Sequence, residues 1–328
     1  MKHALYSRRG PVPHEVIDAV EFSLPPLAPG QALVEVLAAP INPSDVLTLT
    51  GDYGSLPPLP AVGGNEGVGR VVEVAADVAG LAVGQRVLLP IGSGTWATHL
   101  VAAANALMPL PVGADPQQLA MLTVNPPTAR LLLTEFVDLK EGHWVIQNAA
   151  NSAVGGYLVQ LAKARGIRTV NVVRRASAQA AVQALGADVV LVDGDDLAAR
   201  VREATGEAKI ALAIDAVGGA ATERLAQSLA PGGTVVTYGA MSGEPCTLSA
   251  ASLIFRGITL RGFWLARWFR TTDATTRAAV FGELVALIAS GQLHARVQAT
   301  YGIDDIKDAV AAAASGERDG KIMLLPNG

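Results

Sequence analysis

The sequence has very little cysteine, few aromatic residues and few charges. Cys246 is its single cysteine, which excludes an intrachain disulfide and a four-cysteine structural zinc site. Aromatic residues make up 5% and charged residues 16% of the chain, whereas 50% is apolar and 34 residues are glycine. This composition favours large cores with helices packed closely on sheets, and 328 residues suit two domains rather than one.

The chain also lacks a basic tract, and its formal net charge is −4. We therefore expect no nucleic-acid partner. The uncharged stretch from Val87 to Ala114 is long enough for a membrane span, but prolines and glycines interrupt it, and we interpret it as buried strands and turns. The N-terminal residues show neither an apolar signal core nor an Arg/Ser-rich presequence, so we expect no membrane association and a cytoplasmic location.

The first third of the chain has the pattern of β structure. Ala32–Leu37 and Val68–Val74 alternate or run apolar, as half-buried strands do, and turns rich in proline and glycine separate such segments. The pattern indicates no helix of ordinary length before about Pro116.

From His143 onward, predicted strands alternate with predicted helices. The strands are His143–Asn148, Thr169–Val173, Asp188–Val192, Ile210–Asp215 and Thr234–Tyr238, and the helices between the first three are Val154–Arg165 and Ala178–Leu185. This alternation predicts a doubly wound parallel sheet with helices on both faces. Two helices, Thr275–Ala289 and Ile303–Ala314, and a strand, Lys321–Leu325, follow in a tail that we expect to pack on the first domain.

The turn from Asn148 to Gly156 is a candidate dinucleotide site. It follows a strand and opens a helix, so a helix N-terminus can face a pyrophosphate. Small residues replace two glycines of the usual G-x-G-x-x-G pattern, and only Gly155 is retained. An ordinary strand-to-helix turn is the alternative.

The end of the next strand distinguishes NADP from NAD. An acidic residue normally binds the ribose hydroxyls of NAD there. This chain has Arg174-Arg175, and guanidinium groups suit bidentate contact with a 2′-phosphate. Two solvated arginines are the alternative.

Several motifs together resemble the zinc-free medium-chain dehydrogenases/reductases of the trans-2-enoyl-thioester (enoyl-CoA/acyl-carrier-protein) reductase type. They are Asn42-Pro43-Ser44-Asp45, Gly51–Gly54, Pro60–Gly67, Gly94-Thr95-Trp96, Thr123–Pro126, Val145–Asn148, Thr169–Arg174 and Gly262–Leu265. The resemblance covers essentially the whole chain in order. It implies an α/β fold, with a Rossmann NADPH-binding domain at residues 120–264 and a mostly β, GroES-like substrate domain at residues 1–119 and 265–328.

The resemblance also implies roles for individual residues. Those expected to bind NADPH are Asn125 beside the nicotinamide, Asn151, Ser152, Ala153 and Val154 at the pyrophosphate, Arg174 at the 2′-phosphate, Tyr238, Gly239, Ala240 and Met241 on the far strand, Phe263, Trp264 and Leu265 next to nicotinamide and substrate, and Lys321 near the C-terminus. The family often has Arg-Asp-Arg where this chain has Arg174-Arg175-Ala176, and we expect Arg175 to substitute for the displaced guanidinium. Zinc-dependent relatives have a cysteine near Asn42 and a histidine near Asn65, so no metal is expected here. Asp45 and Glu66 flank these positions, and we interpret them as structural hydrogen-bonding residues.

Tyr53 is the candidate catalytic residue, because the matching tyrosine is catalytic in the family. Reducing an unsaturated thioester requires a donor to its carbonyl oxygen or α carbon, and a phenolic hydroxyl can donate near neutral pH. The alternative is a turn tyrosine that packs only its ring.

Three functions fit these residues. The first is NADPH-dependent reduction of enoyl-CoA or enoyl-acyl-carrier-protein, the second is quinone or alkenal reduction on the same scaffold, and the third is non-catalytic NADPH binding. We also expect a homodimer, because Ile258–Trp264 has the pattern of an edge strand late in the cofactor domain.

The arginine pair predicts that NADPH binds much more tightly than NADH. Losing two or three charge-assisted hydrogen bonds to the 2′-phosphate should cost roughly 2–4 kcal/mol, or about 30- to 1000-fold in affinity. Titration of wild type and Arg174→Ala with both cofactors measures this difference. Equal affinities of the wild type for NADPH and NADH would contradict the assignment.

Overall fold

Two units make up residues 1–316 and 318–328, the part of the chain that the computed structural model describes. The first unit contains Met1–Val124 and Phe281–Gly328, and the second contains Asn125–Val280. The chain therefore crosses from the first unit to the second after Val124 and crosses back after Val280. Both crossings lie later in the chain than the predicted domain boundaries. Helix α2 (Pro116–Ala120) packs on strands of the first unit, and Glu66 of that unit accepts hydrogen bonds from the N–H groups of Thr123 and Val124, which keeps the segment up to Val124 with the first unit.

The first unit is built on two sheets. The smaller one is antiparallel, in the order β2-β1-β4, and the larger one has the order β15-β16-β3-β5-β6-β8, with β7 paired to β3. The strands are β1 (Lys2–Tyr6), β2 (Ile17–Glu21), β3 (Gln31–Ile41), β4 (Ala61–Val62), β5 (Val68–Val74), β6 (Arg86–Leu88), β7 (His99–Ala103), β8 (Met108–Pro109), β15 (Val297–Tyr301) and β16 (Lys321–Leu324). Alternate residues of β3 enter the core, which confirms the predicted half-buried strand.

Helix α1 (Pro43–Thr50) was not expected from the sequence, and the prediction of no helix before about Pro116 is wrong. The helix is short, and its ends rather than its apolar periodicity define it. Asn42 and Asp45 form a capping box at its start, and Gly51 ends it in the left-handed region with a φ of 96°. The first unit also contains α10 (Ile306–Ala314), which packs on β16.

The second unit is a parallel sheet of six strands in the order β11-β10-β9-β12-β13-β14. The strands are β9 (Trp144–Gln147), β10 (Arg168–Val173), β11 (Val189–Val192), β12 (Ile210–Asp215), β13 (Thr234–Thr237) and β14 (Thr259–Gly262), and the helices are α3 (Asn125–Leu132), α4 (Ala153–Ala164), α5 (Gln179–Ala184), α6 (Leu197–Thr205), α7 (Ala220–Gln227) and α8 (Leu265–Thr271). Helix α9 (Ala274–Ala289) runs across the second crossing. The strand order is that of a Rossmann fold, which confirms the predicted fold class. Successive strands are added to one side of β9 from β9 to β11 and to its other side from β12 to β14. Sheets of this type bind their ligands at the point between β9 and β12 where the strand order reverses.

The uncharged stretch Val87–Ala114 forms β6, β7, β8 and their connections, as predicted. No helix among the described residues is long and apolar enough to cross a membrane.

The close packing of Gly63 against Trp96 gives a stability prediction. Trp96 is fully buried, and a Cβ at Gly63 would lie 2.2 Å from its ring. Gly63→Ala should therefore destabilise the first unit by about 1–3 kcal/mol through overpacking. Chemical denaturation measures the loss, and Gly54→Ala is the matched control because open space surrounds that position. Equal stabilities of the two variants would contradict this packing.

Candidate active site and cofactor site

The turn between β9 and α4, called the phosphate turn below, has the geometry of a phosphate-binding site. Ser152 caps α4, and its hydroxyl accepts a hydrogen bond of 3.1 Å from the N–H of Gly155. A Cβ at Gly155 would lie 2.6 Å from the carbonyl oxygen of Ala150, so the turn requires glycine there. The N-terminus of a twelve-residue helix is thus presented to an anion at the carboxyl edge of the sheet, which fits the pyrophosphate of a dinucleotide.

Tyr238 and Ser152, two of the predicted cofactor residues, meet in the structure. Tyr238 follows β13, and burial raises the pKa of its hydroxyl, while its hydrogen bond with Ser152 opposes that rise. A Cβ at the neighbouring Gly239 would lie 2.9 Å from the carbonyl oxygen of Ala216. The ends of β9, β12 and β13 therefore approach one another closely beside the phosphate turn.

Asp215 and Asn148 tie the two strands at the reversal point, and sequence analysis did not identify this pair. The Asn148 amide donates to Asp215 over 2.6 Å and accepts from the N–H of Ala216 over 2.7 Å. Asp215 also accepts from the N–H of Gly218 (3.0 Å) and from the hydroxyl of Thr222 (2.6 Å). An aspartate that ends an apolar strand before a glycine pair is the sequence signal for such a network.

The two arginines lie directly after β10, at the carboxyl edge of the sheet. Arg174 is exposed and Arg175 is half-buried. The carboxylate at the end of the next strand, Asp193, accepts from Arg224 over 2.6 and 2.8 Å. Asp193 therefore pairs with Arg224. The binding of a 2′-phosphate by Arg174 and Arg175 stays a prediction.

The other predicted cofactor residues occupy several elements of the second unit. Asn125 is buried at the start of α3. Phe263 packs edge-to-face on Phe136 at 6.0 Å, Trp264 lies 4.8 Å from the guanidinium of Arg270, and Leu265 begins α8. Asn151, Ala153 and Val154 lie in the phosphate turn and the start of α4, and Ala240 and Met241 are exposed after Gly239.

Tyr53 belongs to the first unit, in the loop after α1. Its side chain is half-buried, and its backbone N–H donates to the carbonyl of Leu47 over 3.2 Å. The loop is thereby held to the end of α1, and the catalytic role of the hydroxyl stays a prediction.

A buried polar network includes Asn42 and Asn65, which the family resemblance matches to the cysteine and the histidine of zinc-dependent relatives. It consists of Asn42, Asp45, Asn65, Glu66 and Lys321. The Asn42 amide donates to Glu66 over 2.7 Å, the Asn65 amide donates to Asp45 over 2.6 Å, and the ammonium of Lys321 donates to the side-chain oxygen of Asn42. Lys321, predicted to contact the cofactor, is only 4% exposed in this network, and the cofactor contact stays a prediction.

The two carboxylates also hold backbone groups, which confirms their interpretation as structural hydrogen-bonding residues. Asp45 accepts from the N–H of Asn42 over 2.7 Å. Glu66 accepts from the N–H groups of Thr123 and Val124 over 3.1 and 2.8 Å.

Burial dominates the electrostatics of the network. It raises the pKa of Asp45 to about 6, against hydrogen bonds that lower it. It also raises the pKa of Glu66, and the nearby Lys321 charge opposes that rise. Burial lowers the pKa of Lys321, while Glu66 and Asp45 oppose the fall. Each charge is therefore tolerated largely because the opposite charges accompany it.

This donor set does not fit zinc. Amides replace a thiolate and an imidazole, and an ammonium among the carboxylates repels a cation. In residues 1–316 and 318–328, no group of three or more His, Cys, Asp or Glu side chains is arranged to hold a metal ion.

Comparison with known families matches both units. The family model for the alcohol dehydrogenase GroES-like domain matches residues 28–112, and the model described as zinc-binding dehydrogenase matches residues 153–281. The chain is 39% identical to the mitochondrial enoyl-[acyl-carrier-protein] reductases of Rattus norvegicus and Homo sapiens over 307 residues, which are 92% of this chain and 82% of each relative.

Solved structures agree over nearly the whole chain. The complex of Etr1p with NADP and crotonyl-CoA superimposes with a TM-score of 0.90 at 28% identity, covering 99% of both chains. The Etr1p/Etr2p heterodimer, a mitochondrial 2-enoyl thioester reductase from Candida tropicalis, has a TM-score of 0.88 at 28% identity with the same coverage. A quinone oxidoreductase from Pseudomonas syringae has a TM-score of 0.85 at 27% identity, again covering 99% of both chains.

Lys321→Met should destabilise the first unit by about 3–5 kcal/mol near pH 8, because it leaves Glu66 and Asp45 buried without their cation. The pKa of Glu66 is already raised, and losing the ammonium raises it further. The folded variant therefore binds a proton at pH values at which the unfolded chain has released it. Its stability falls as pH rises from the pKa of Glu66 in the unfolded chain toward the higher pKa in the folded variant. We expect the penalty to shrink between about pH 8 and pH 6.

Chemical denaturation at the two pH values measures this penalty. Lys307→Met is the matched control, because its ammonium pairs with Asp18 over 2.7 Å at the exposed surface and its loss should matter little. A Lys321→Met penalty that is small, or independent of pH, would contradict the account of the network.

Proposed function

The chain belongs to the medium-chain dehydrogenase/reductase superfamily, in the family of the mitochondrial enoyl-[acyl-carrier-protein] reductases, and from this premise we propose that it reduces the α,β double bond of 2-enoyl thioesters with NADPH. The observation that carries the proposal is the 39% identity with these reductases over 92% of the chain. Enoyl-CoA and enoyl-acyl-carrier-protein are both substrates of the proposed class.

The reaction adds a hydride to the β carbon and a proton to the α carbon. After the hydride adds and before the proton does, negative charge lies largely on the carbonyl oxygen of the thioester. NADPH would supply the hydride when bound. The N-terminus of α4 would hold its pyrophosphate, and Arg174 with Arg175 would hold its 2′-phosphate. Tyr53 donates either a hydrogen bond from its phenolic hydroxyl to the carbonyl oxygen, where the charge develops, or its proton to the α carbon. No step requires a metal, in keeping with the donor set at Asn42 and Asn65.

Quinone reduction is the second candidate function, and the similarity to the Pseudomonas syringae quinone oxidoreductase supports it. The 39% identity with the mitochondrial enoyl reductases exceeds the 31% identity with a quinone reductase structure from Bacillus thuringiensis, and together with the Tyr53 and Phe263-Trp264 motifs it favours the thioester.

We propose in addition that the protein is a homodimer formed by sheet extension at β14. This strand lies at the edge of the parallel sheet, and all four of its residues are exposed. Leu260 of this strand and three residues shortly before it in the chain, Leu253, Ile254 and Phe255, are exposed apolar side chains, with Ile254 72% and Phe255 83% exposed. An edge strand beside exposed apolar side chains supports pairing with a second copy.

We propose the cytoplasm as the compartment of this protein, since a single cysteine suits a reducing environment.

The dimer predicts a specific response to a charge in this surface. Wild type should have twice the monomer mass by light scattering at micromolar concentration, and Phe255→Asp should shift the mass toward the monomer because it buries an unpaired carboxylate at the interface. Val112→Asp is the matched control, since Val112 is 99% exposed and lies in the other unit. A monomeric wild type would contradict the proposal.

Tyr53→Phe tests the proposed chemistry, because it keeps the ring and removes only the hydroxyl. Loss of one such donor typically lowers turnover by about 10²- to 10³-fold. We expect kcat with crotonyl-CoA to fall by that factor, while the Kd for NADPH changes by less than about threefold. Steady-state NADPH oxidation and fluorescence titration measure the two quantities. Wild-type turnover in the variant would remove the catalytic assignment of Tyr53.

A further inference from the structure

Glu66 connects the buried network to the segment that leads into the cofactor unit. Its side chain is completely buried, and one carboxylate oxygen accepts the N–H groups of both Thr123 and Val124. These are the last two residues before Asn125, which begins α3 and the second unit. A charged acceptor thus fixes two consecutive peptide groups immediately before a residue predicted to lie beside the nicotinamide.

The other oxygen of Glu66 is fixed just as firmly. It accepts from the amide of Asn42, whose own oxygen accepts from Lys321. Asn42 directly follows β3 and Lys321 begins β16, two strands that pair with each other in one sheet. The carboxylate is therefore held by residues at the ends of two paired strands of the first unit.

Stability alone gives a weak reason for this arrangement. Apolar side chains of similar volume often replace a buried ion pair without loss of stability. The pair here instead orients backbone N–H groups, which an apolar side chain could not hold.

We propose that Glu66 is a positioning residue for the reductase: supported by Asn42 and Lys321, it fixes the backbone of Thr123 and Val124 and thereby places Asn125 for NADPH. This role rests on the proposed function.

A double-mutant cycle tests whether Glu66 acts through Asn125. Glu66→Gln, Asn125→Ala and the double variant are compared at about pH 8 by the Kd for NADPH and by kcat with crotonyl-CoA, with circular dichroism to show that each is folded. We expect Glu66→Gln to weaken NADPH binding and lower kcat by about tenfold or more, since small misplacements near reacting groups are costly. In the Asn125→Ala background the same change should have less than about a threefold effect on either quantity.

Glu35→Gln is the matched control, because it removes a carboxylate of the same unit that pairs with Arg70 at the surface, and it should leave both quantities unchanged. Equal effects of Glu66→Gln in both backgrounds, or none in either, would overturn the proposal. If Glu66→Gln does not fold, Glu66→Asp takes its place, since it keeps the charge but shortens the reach to the peptide groups. If wild type does not reduce crotonyl-CoA, the proposed function fails, and the NADPH cycle alone decides the role of Glu66.

Discussion

Two carboxylates, Asp45 and Glu66, lie buried in the first unit beside the ammonium of Lys321. Ionised groups lose several kcal/mol of hydration on burial, so they persist only with opposite charges and with hydrogen bonds to their remaining lone pairs. This requirement brings the end of β3, the start of α1 and the start of β16 to one place. The proposed positioning of Asn125 depends on the same pairing.

The second unit is subject to a different constraint. All six strands are parallel, so their carboxyl ends share one edge, and the strand order reverses between β9 and β12. The phosphate turn, the Asp215 network and the Tyr238–Ser152 contact all lie at strand ends on that edge. A pattern of small residues with one retained glycine, Gly155, was therefore enough to predict the turn.

The sequence predicted what local patterns determine. The buried strands, the amphipathic helix α4 and the edge strand β14 follow from apolar periodicity over a few residues. Helix α1 was missed because its caps, rather than an apolar face, define it. The network of Glu66 and Lys321 was missed because its partners are far apart in sequence: no local pattern shows that residue 321 meets residue 42.

We propose that this scaffold reduces enoyl thioesters rather than quinones. NADPH oxidation by the wild-type protein, measured with crotonyl-CoA and in parallel with a benzoquinone, tests it most directly. We predict that kcat/KM for crotonyl-CoA exceeds that for the quinone by at least about tenfold, a difference of about 1.4 kcal/mol in transition-state stabilisation. Turnover of the benzoquinone with no detectable reduction of crotonyl-CoA would contradict the claim.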